Sequence, residues 1–255
     1  MKLTILSVMC AGVLLAQAPA GAAKPKPAAP KPSEAPWTKK TPWGDPDFSG
    51  VWQQRFVDKN GRPVVGLDLA DFAEIPYTPA SKAKYDFNQT GKGQAQDPES
   101  WCLPAGVPRS TGLPYPLRFM QSPDLISILL EGNVHSYRLI LMNKEHPKDV
   151  NPTWMGHSVG KWEGDTLVID TVGFNDKTWL DPGGHVHSGK LHTVERFTRL
   201  TENGLRYEFT IDDPEAYTKP WGWSYVLVGH HDWEIIEYVC NENNKDLEHM
   251  INGNK

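Results

Sequence analysis

The sequence predicts an all-β chain that closes into an antiparallel up-and-down β-barrel, and three observations carry that expectation. Nine short runs have strand character: 48–52 (FSGVW), 125–131 (LISILLE), 134–142, 158–162, 166–172, 191–200, 205–212, 223–229 and 233–240. Turn formers punctuate them at hairpin spacing, at Gly132-Asn133, Glu163-Gly164-Asp165, Thr201-Glu202-Asn203-Gly204 and His230-His231-Asp232. No helical stripe of useful length and no solenoid repeat is visible. A sheet of consecutive hairpins this large tends to curl and close, which removes its exposed edges.

The N-terminal residues read as an address. Lys2 precedes an apolar run over 3–16, and small residues follow over 18–23. That is the order of a secretory signal peptide, and the run is too short for a comfortable membrane span. Residues 24–46 hold seven prolines in 23 positions and almost no aliphatic side chains. Such a stretch predicts a disordered tether. The expected organisation is therefore a signal peptide over 1–23, a Pro/Ala/Lys-rich linker over 24–46 and one barrel domain over 47–255. It implies a periplasmic or secreted protein with no transmembrane span after cleavage. Cys10 would leave with the leader, so Cys102 and Cys240 predict a disulfide in an oxidising compartment. Residues 60–118, rich in Pro and Gly, predict a long irregular excursion over one barrel mouth, with one short helix near 80–85.

Composition narrows the function. Lys+Arg 26 against Asp+Glu 31 gives a net charge of -5, the wrong sign for a phosphate-backbone binder. A mean hydropathy of -0.50 excludes a polytopic membrane protein. With 39% hydrophobic and 10% aromatic residues the mature chain can bury a core. No Gly-x-Ser-x-Gly, Walker loop or GxGxxG occurs.

Three constellations could carry chemistry. A four-residue loop at 201–204 would pair Leu200 with Leu205 and set Arg196 opposite Phe209. His192 and Arg196 would then face the barrel interior with Tyr207 and Phe209, while Thr193 and Glu195 point the other way; a slip of one residue would reverse the facing. A Glu163-Gly164 loop would place His157 opposite Asp170, an imidazole–carboxylate pair suited to general-base work. His185, His187 and His192 could hold zinc or another divalent metal, or the first two could sit in a solvated Gly-rich loop. The aromatic supply, Trp221, Trp223, Tyr225, Tyr207 and Phe209, could line a cavity or fill the core.

Two resemblances accompany these readings. Gly50-Val51-Trp52 is similar to the Gly-x-Trp that opens the first strand of lipocalins, which implies a lipocalin/calycin-like barrel. The run GKWEGDTLVIDT (160–171) resembles a widespread group of secreted bacterial proteins. So do Val172-Gly173-Phe174-Asn175, His187-Ser188, Leu191-His192 and Glu195-Arg196-Phe197, the run 102–109 (CLPAGVPR) and the run 237–243 (EYVCNEN). That group brings no settled activity, so the resemblance implies one secreted domain with paired cysteines and assigns no catalytic role. The functional expectation is a barrel holding a small, partly apolar molecule, aromatic or glycoside, with no cofactor. The alternatives are a lyase, isomerase or hydrolase using His192 or His157 as base, Glu195 or Asp170 as orienter and Arg196 for an anionic intermediate, and a His-ligated metal protein.

Overall fold

The computed structural model describes residues 36–54, 75–132, 134 and 136–242. The expected signal peptide and the linker up to residue 35 lie outside these residues. Among the described residues nine strands close a barrel in sequence order. They are β1 (Gly50–Gln54), β2 (Leu117–Gln121), β3 (Leu125–Leu130), β4 (Tyr137–Met142), β5 (His157–Glu163), β6 (Thr166–Val172), β7 (His192–Thr201), β8 (Gly204–Asp212) and β9 (Trp221–His230). β9 returns to pair with β1. Neighbours are antiparallel except β4 and β5, which are parallel. The crossover between those two, residues 143–156, climbs back along the barrel wall.

Two strand assignments change. β2 is not among the expected strands; it begins at the end of the stretch expected to be irregular and runs three residues beyond it. Its alternation is short but clean, Leu117 and Phe119 buried against exposed Arg118 and Met120, and the preceding Pro114 and Pro116 disguise it in the sequence. Residues 233–240 form no strand although their composition suits one. Trp233, Ile236 and Val239 are exposed there, and the segment is pinned by a Cys102–Cys240 disulfide and by an Ile236 N–H donated to Glu131. The helix expected near 80–85 is α1 (Pro79–Asn88), with Thr78 as its N-cap and Pro79 in its first turn.

Residues 36–46, expected to be part of the tether, are docked. The Trp37 N–H donates to the Leu200 carbonyl at 3.1 Å, and Trp37 stacks at 3.6 Å on the Arg199 guanidinium, which also lies 4.8 Å from Trp52. Arg199 donates to the carbonyls of Asp47 and Glu202. This cation–aromatic stack, together with Phe48 edge-on to Phe119 and Trp162, stoppers one barrel end. The opposite end lies under a cap drawn from 75–116, 173–191 and 213–220, which contributes Val107, Phe174, Leu180, Leu191 and Tyr217 to the core.

The two hairpin registers differ from expectation in instructive ways. At β5–β6 the turn is Gly164-Asp165, with Gly164 at φ 63°, so Glu163 pairs with Thr166 and Val159 with Asp170. The shift of two residues keeps every side chain on its face but moves His157 opposite Val172. At β7–β8 Thr201 and Gly204, expected in the loop, pair with each other, and a bulge then brings Arg199 rather than Leu200 opposite Leu205. That single extra residue reverses the facing of β7. Thr193, Glu195, Phe197 and Arg199 point inward, and His192, Val194 and Arg196 stand on the outer wall. The expected interior His192–Arg196 pair is therefore replaced by Glu195.

The disulfide closes a separation of 138 residues. Replacing Cys102 and Cys240 by Ala is expected to lower unfolding free energy by up to about 5 kcal/mol through loop-closure entropy. A urea titration reads this directly, and an unchanged midpoint would contradict it.

Candidate functional site

The barrel interior holds a buried polar cluster around Arg138 and Glu195. Arg138 reaches from β4 across the lumen and donates from Nε to Ser158 at 3.0 Å, and from Nη2 to Thr171 at 2.7 Å and Glu195 at 2.5 Å. The Tyr207 hydroxyl donates to the other Glu195 oxygen at 2.7 Å. Arg138 is 3% and Glu195 0% exposed, so this is an ion pair fully out of water whose charges close on each other. Burial, reinforced by Glu195, pushes the Tyr207 phenol far above its ordinary range and keeps it a donor.

The five aromatic residues expected to line a cavity do meet inside the barrel. Tyr207 lies 5.1 Å from Tyr225, Phe209 4.9 Å from Trp223, and Trp221 5.7 Å from Trp223. Cross-strand pairing fixes this wall, since Tyr207, Phe209 and Ile211 on β8 face Tyr225, Trp223 and Trp221 on β9. Several polar atoms in the same lumen are buried without a hydrogen-bond partner: Arg138 Nη1, Thr193 Oγ1, Trp221 Nε1, Trp223 Nε1 and the Tyr225 hydroxyl. Tyr225 as a whole is half-buried, and Gly112 from the cap sits over its hydroxyl, where a Cβ would come to 3.3 Å.

A separate cluster stands on the outer wall. His157 and His146 meet Nδ1 to Nδ1 at 2.8 Å, His146 Nε2 is 2.9 Å from Asp170 Oδ1, and His192 Nε2 is 2.9 Å from Asp170 Oδ2. The sequence suggested a direct His157–Asp170 pair; the structure links the two through His146, which comes from the crossover. On this face His192 and His157 are diagonal neighbours of Asp170, close enough for ring-length side chains to reach it. Burial alone would raise the Asp170 carboxyl, but hydrogen bonds from His192 and His146 outweigh it and hold it below the ordinary carboxylate range. His157 is lowered by burial and by the neighbouring His146.

The three histidines considered as metal ligands go to three different places. His185 donates to Asp181 at 2.6 Å and stacks on Tyr85 at 4.7 Å. His187 donates from Nδ1 to the Ser188 carbonyl at 2.9 Å and accepts from Thr178 at 2.7 Å. His192 is held by Asp170. Neither of the first two sits in a solvated loop: both are buried in the cap. Among the described residues no three His, Cys, Asp or Glu side chains converge to hold a metal ion.

No family model and no curated protein matches the chain. Arg138 and His146 were missed by sequence reasoning. Arg138 lies in an alternating strand where its inward facing could have been noticed; His146 lies in a connection with no periodicity to place it.

Two outcomes follow from this chemistry. Arg138→Met should cost about 3–5 kcal/mol, because it strands a buried carboxylate, and adding Glu195→Leu should restore most of the loss in the same denaturant titration. His157, His187 and His230 all have folded pKa values pushed down, chiefly by burial. The stability they contribute is therefore present above the ordinary histidine value of about 6.5 and lost as pH falls below it. Melting temperature should drop between pH 7 and 5, and His187→Gln, removing the most deeply buried of the three, should flatten that drop.

Proposed function

We propose that the protein is a secreted or periplasmic binding barrel that holds a small, partly apolar molecule, aromatic or glycosidic, in the lumen beneath its cap. The observation that carries this reading is the coincidence of an aromatic wall with five buried, unpartnered polar atoms in the same lumen. Leaving such an atom without a partner costs about 1–3 kcal/mol. A planar ligand bearing oxygen atoms would stack on the wall and accept hydrogen bonds from Trp221, Trp223 and Arg138. Because Arg138 and Glu195 already neutralise each other, the occupant best suited to the lumen is uncharged. The leader over 1–23 and the disulfide support the location.

Melting the protein with phenol, benzyl alcohol, phenyl glucoside and benzoate tests the reading. At about a hundredfold excess over Kd a bound probe stabilises the fold by about 2.7 kcal/mol. A neutral probe is expected to raise the melting temperature, to move the Trp221 and Trp223 indole N–H resonances, and to bind less well to Trp223→Phe. Flat melting curves with unmoved indole signals across the panel would refute lumen binding.

A further inference from the structure

The cap holds a groove of its own, outside the lumen. We propose that this groove is a second binding site, for a small aromatic molecule bearing a single carboxylate.

Its walls are tied to each other. α1 contributes Ala83, Lys84, Phe87 and Asn88, which the helical repeat sets on one face. The other wall is the segment 179–186, which folds back on itself with Trp179 bridged to Val186 and the Leu180 N–H donated to the His185 carbonyl. The Asn88 side-chain amide donates to the Gly184 carbonyl and that of Gln89 to the Gly183 carbonyl, each at 2.8 Å. The Asp181–His185 bond braces the same segment from within. Walls fixed in this way lower the ordering cost that a ligand must meet.

The groove has a volume of about 520 Å³, within the range of small-molecule sites. Its lining sorts by chemistry. Phe87 and Trp179 offer ring surface, flanked by Ala83, Pro98 and Val186. Phe87 is 42% exposed, a large apolar ring left to solvent in the free protein. Thr178 and His187, also in the lining, satisfy each other at 2.7 Å.

The charge is cationic. Lys84 comes from α1 and Lys177 from the loop before Trp179. Lys82 and Lys161 are paired with carboxylates, whereas neither groove lysine has an ion-pair partner among the described residues. Asp176 is the one acid among the described lining residues, so the groove carries one net positive charge in a chain of net charge -5. Two lining side chains buried beyond nine-tenths each keep a polar atom with no partner among the described residues. They are Trp179, at its indole N–H, and Asn88, at the oxygen of the amide whose nitrogen binds Gly184. A carboxylate suits two ammonium groups and an indole donor, and its hydrogen bonds are charge-assisted. An aromatic body suits the ring surface beside them.

The probe is 2-naphthoate, with 2-naphthamide as its neutral counterpart of the same shape. In calorimetry the full chain is expected to bind the acid at least about tenfold tighter than the amide, and added salt should narrow that gap. The Trp179 indole N–H resonance should move on binding while those of Trp221 and Trp223 stay in place, which separates this groove from the lumen. Lys84→Gln/Lys177→Gln alters two exposed side chains and should bring naphthoate down to the affinity of the amide. Ala83→Trp, at an exposed position of α1, fills the groove and should abolish binding without lowering the melting temperature. Naphthoate bound no better than naphthamide, undiminished binding in Ala83→Trp, or shifts confined to Trp221 and Trp223 would overturn the proposal. Any of these leaves the lumen reading, which is tested with neutral probes, untouched.

Discussion

One extra residue in β7 governs what this barrel presents to its interior and to its surface. The bulge at Leu200 reverses the alternation of the whole strand, and both the buried Arg138–Glu195 pair and the outer His192–Asp170 contact follow from it. With the bulge, Glu195 meets Arg138 in the lumen while His192 reaches Asp170 outside. Without it, a carboxylate would stand in solvent and an imidazole would be sealed among aromatic rings. The bulge is held from two sides, by the Trp37 N–H on the Leu200 carbonyl and by the Arg199 guanidinium on the neighbouring carbonyls. The proline-rich segment before the barrel is thus bound to the placement of its functional groups.

The interior follows from a conflict between volume and polarity. Aromatic residues line the interior towards both ends, Phe48, Phe119 and Phe197 towards one and Tyr207, Phe209, Trp221 and Trp223 towards the other. A buried ion pair is weak support for stability in itself. Here it does something aliphatic residues could not: it fixes Arg138 across the lumen, bonded to Ser158, Thr171 and Glu195 on three successive strands. Such a crossbrace favours one arrangement of the walls over its near neighbours.

Much of the architecture was legible because strands with one wet face alternate visibly. β3 to β9 stand close to where periodicity and turn residues put them, and Cys102 pairs with Cys240 as compartment logic suggested. What stayed hidden was set by contacts distant in sequence. Nothing near Leu200 announces a bulge, since two of the groups that hold it, the Trp37 N–H and the Asp47 carbonyl, lie in 36–54. Asp170 was recognised as a partner for histidine, yet the imidazoles that reach it are chosen by a two-residue register shift and by a crossover. β2 was lost among prolines, and 233–240 has strand composition without a sheet edge left to join.

The parallel pair β4–β5 has a consequence rooted in counting. Strands that reverse direction at every step can return to an antiparallel neighbour only when their number is even. A ring of nine must place an odd number of same-direction contacts somewhere, and this chain places one at β4–β5 while closing β9 on β1 in opposed sense. The detour that parity forces sends residues 143–156 back along the wall, and those residues bring His146 to Asp170. Adding or deleting a single strand would remove the need for the detour and, with it, the ring that joins His157 to the carboxylate.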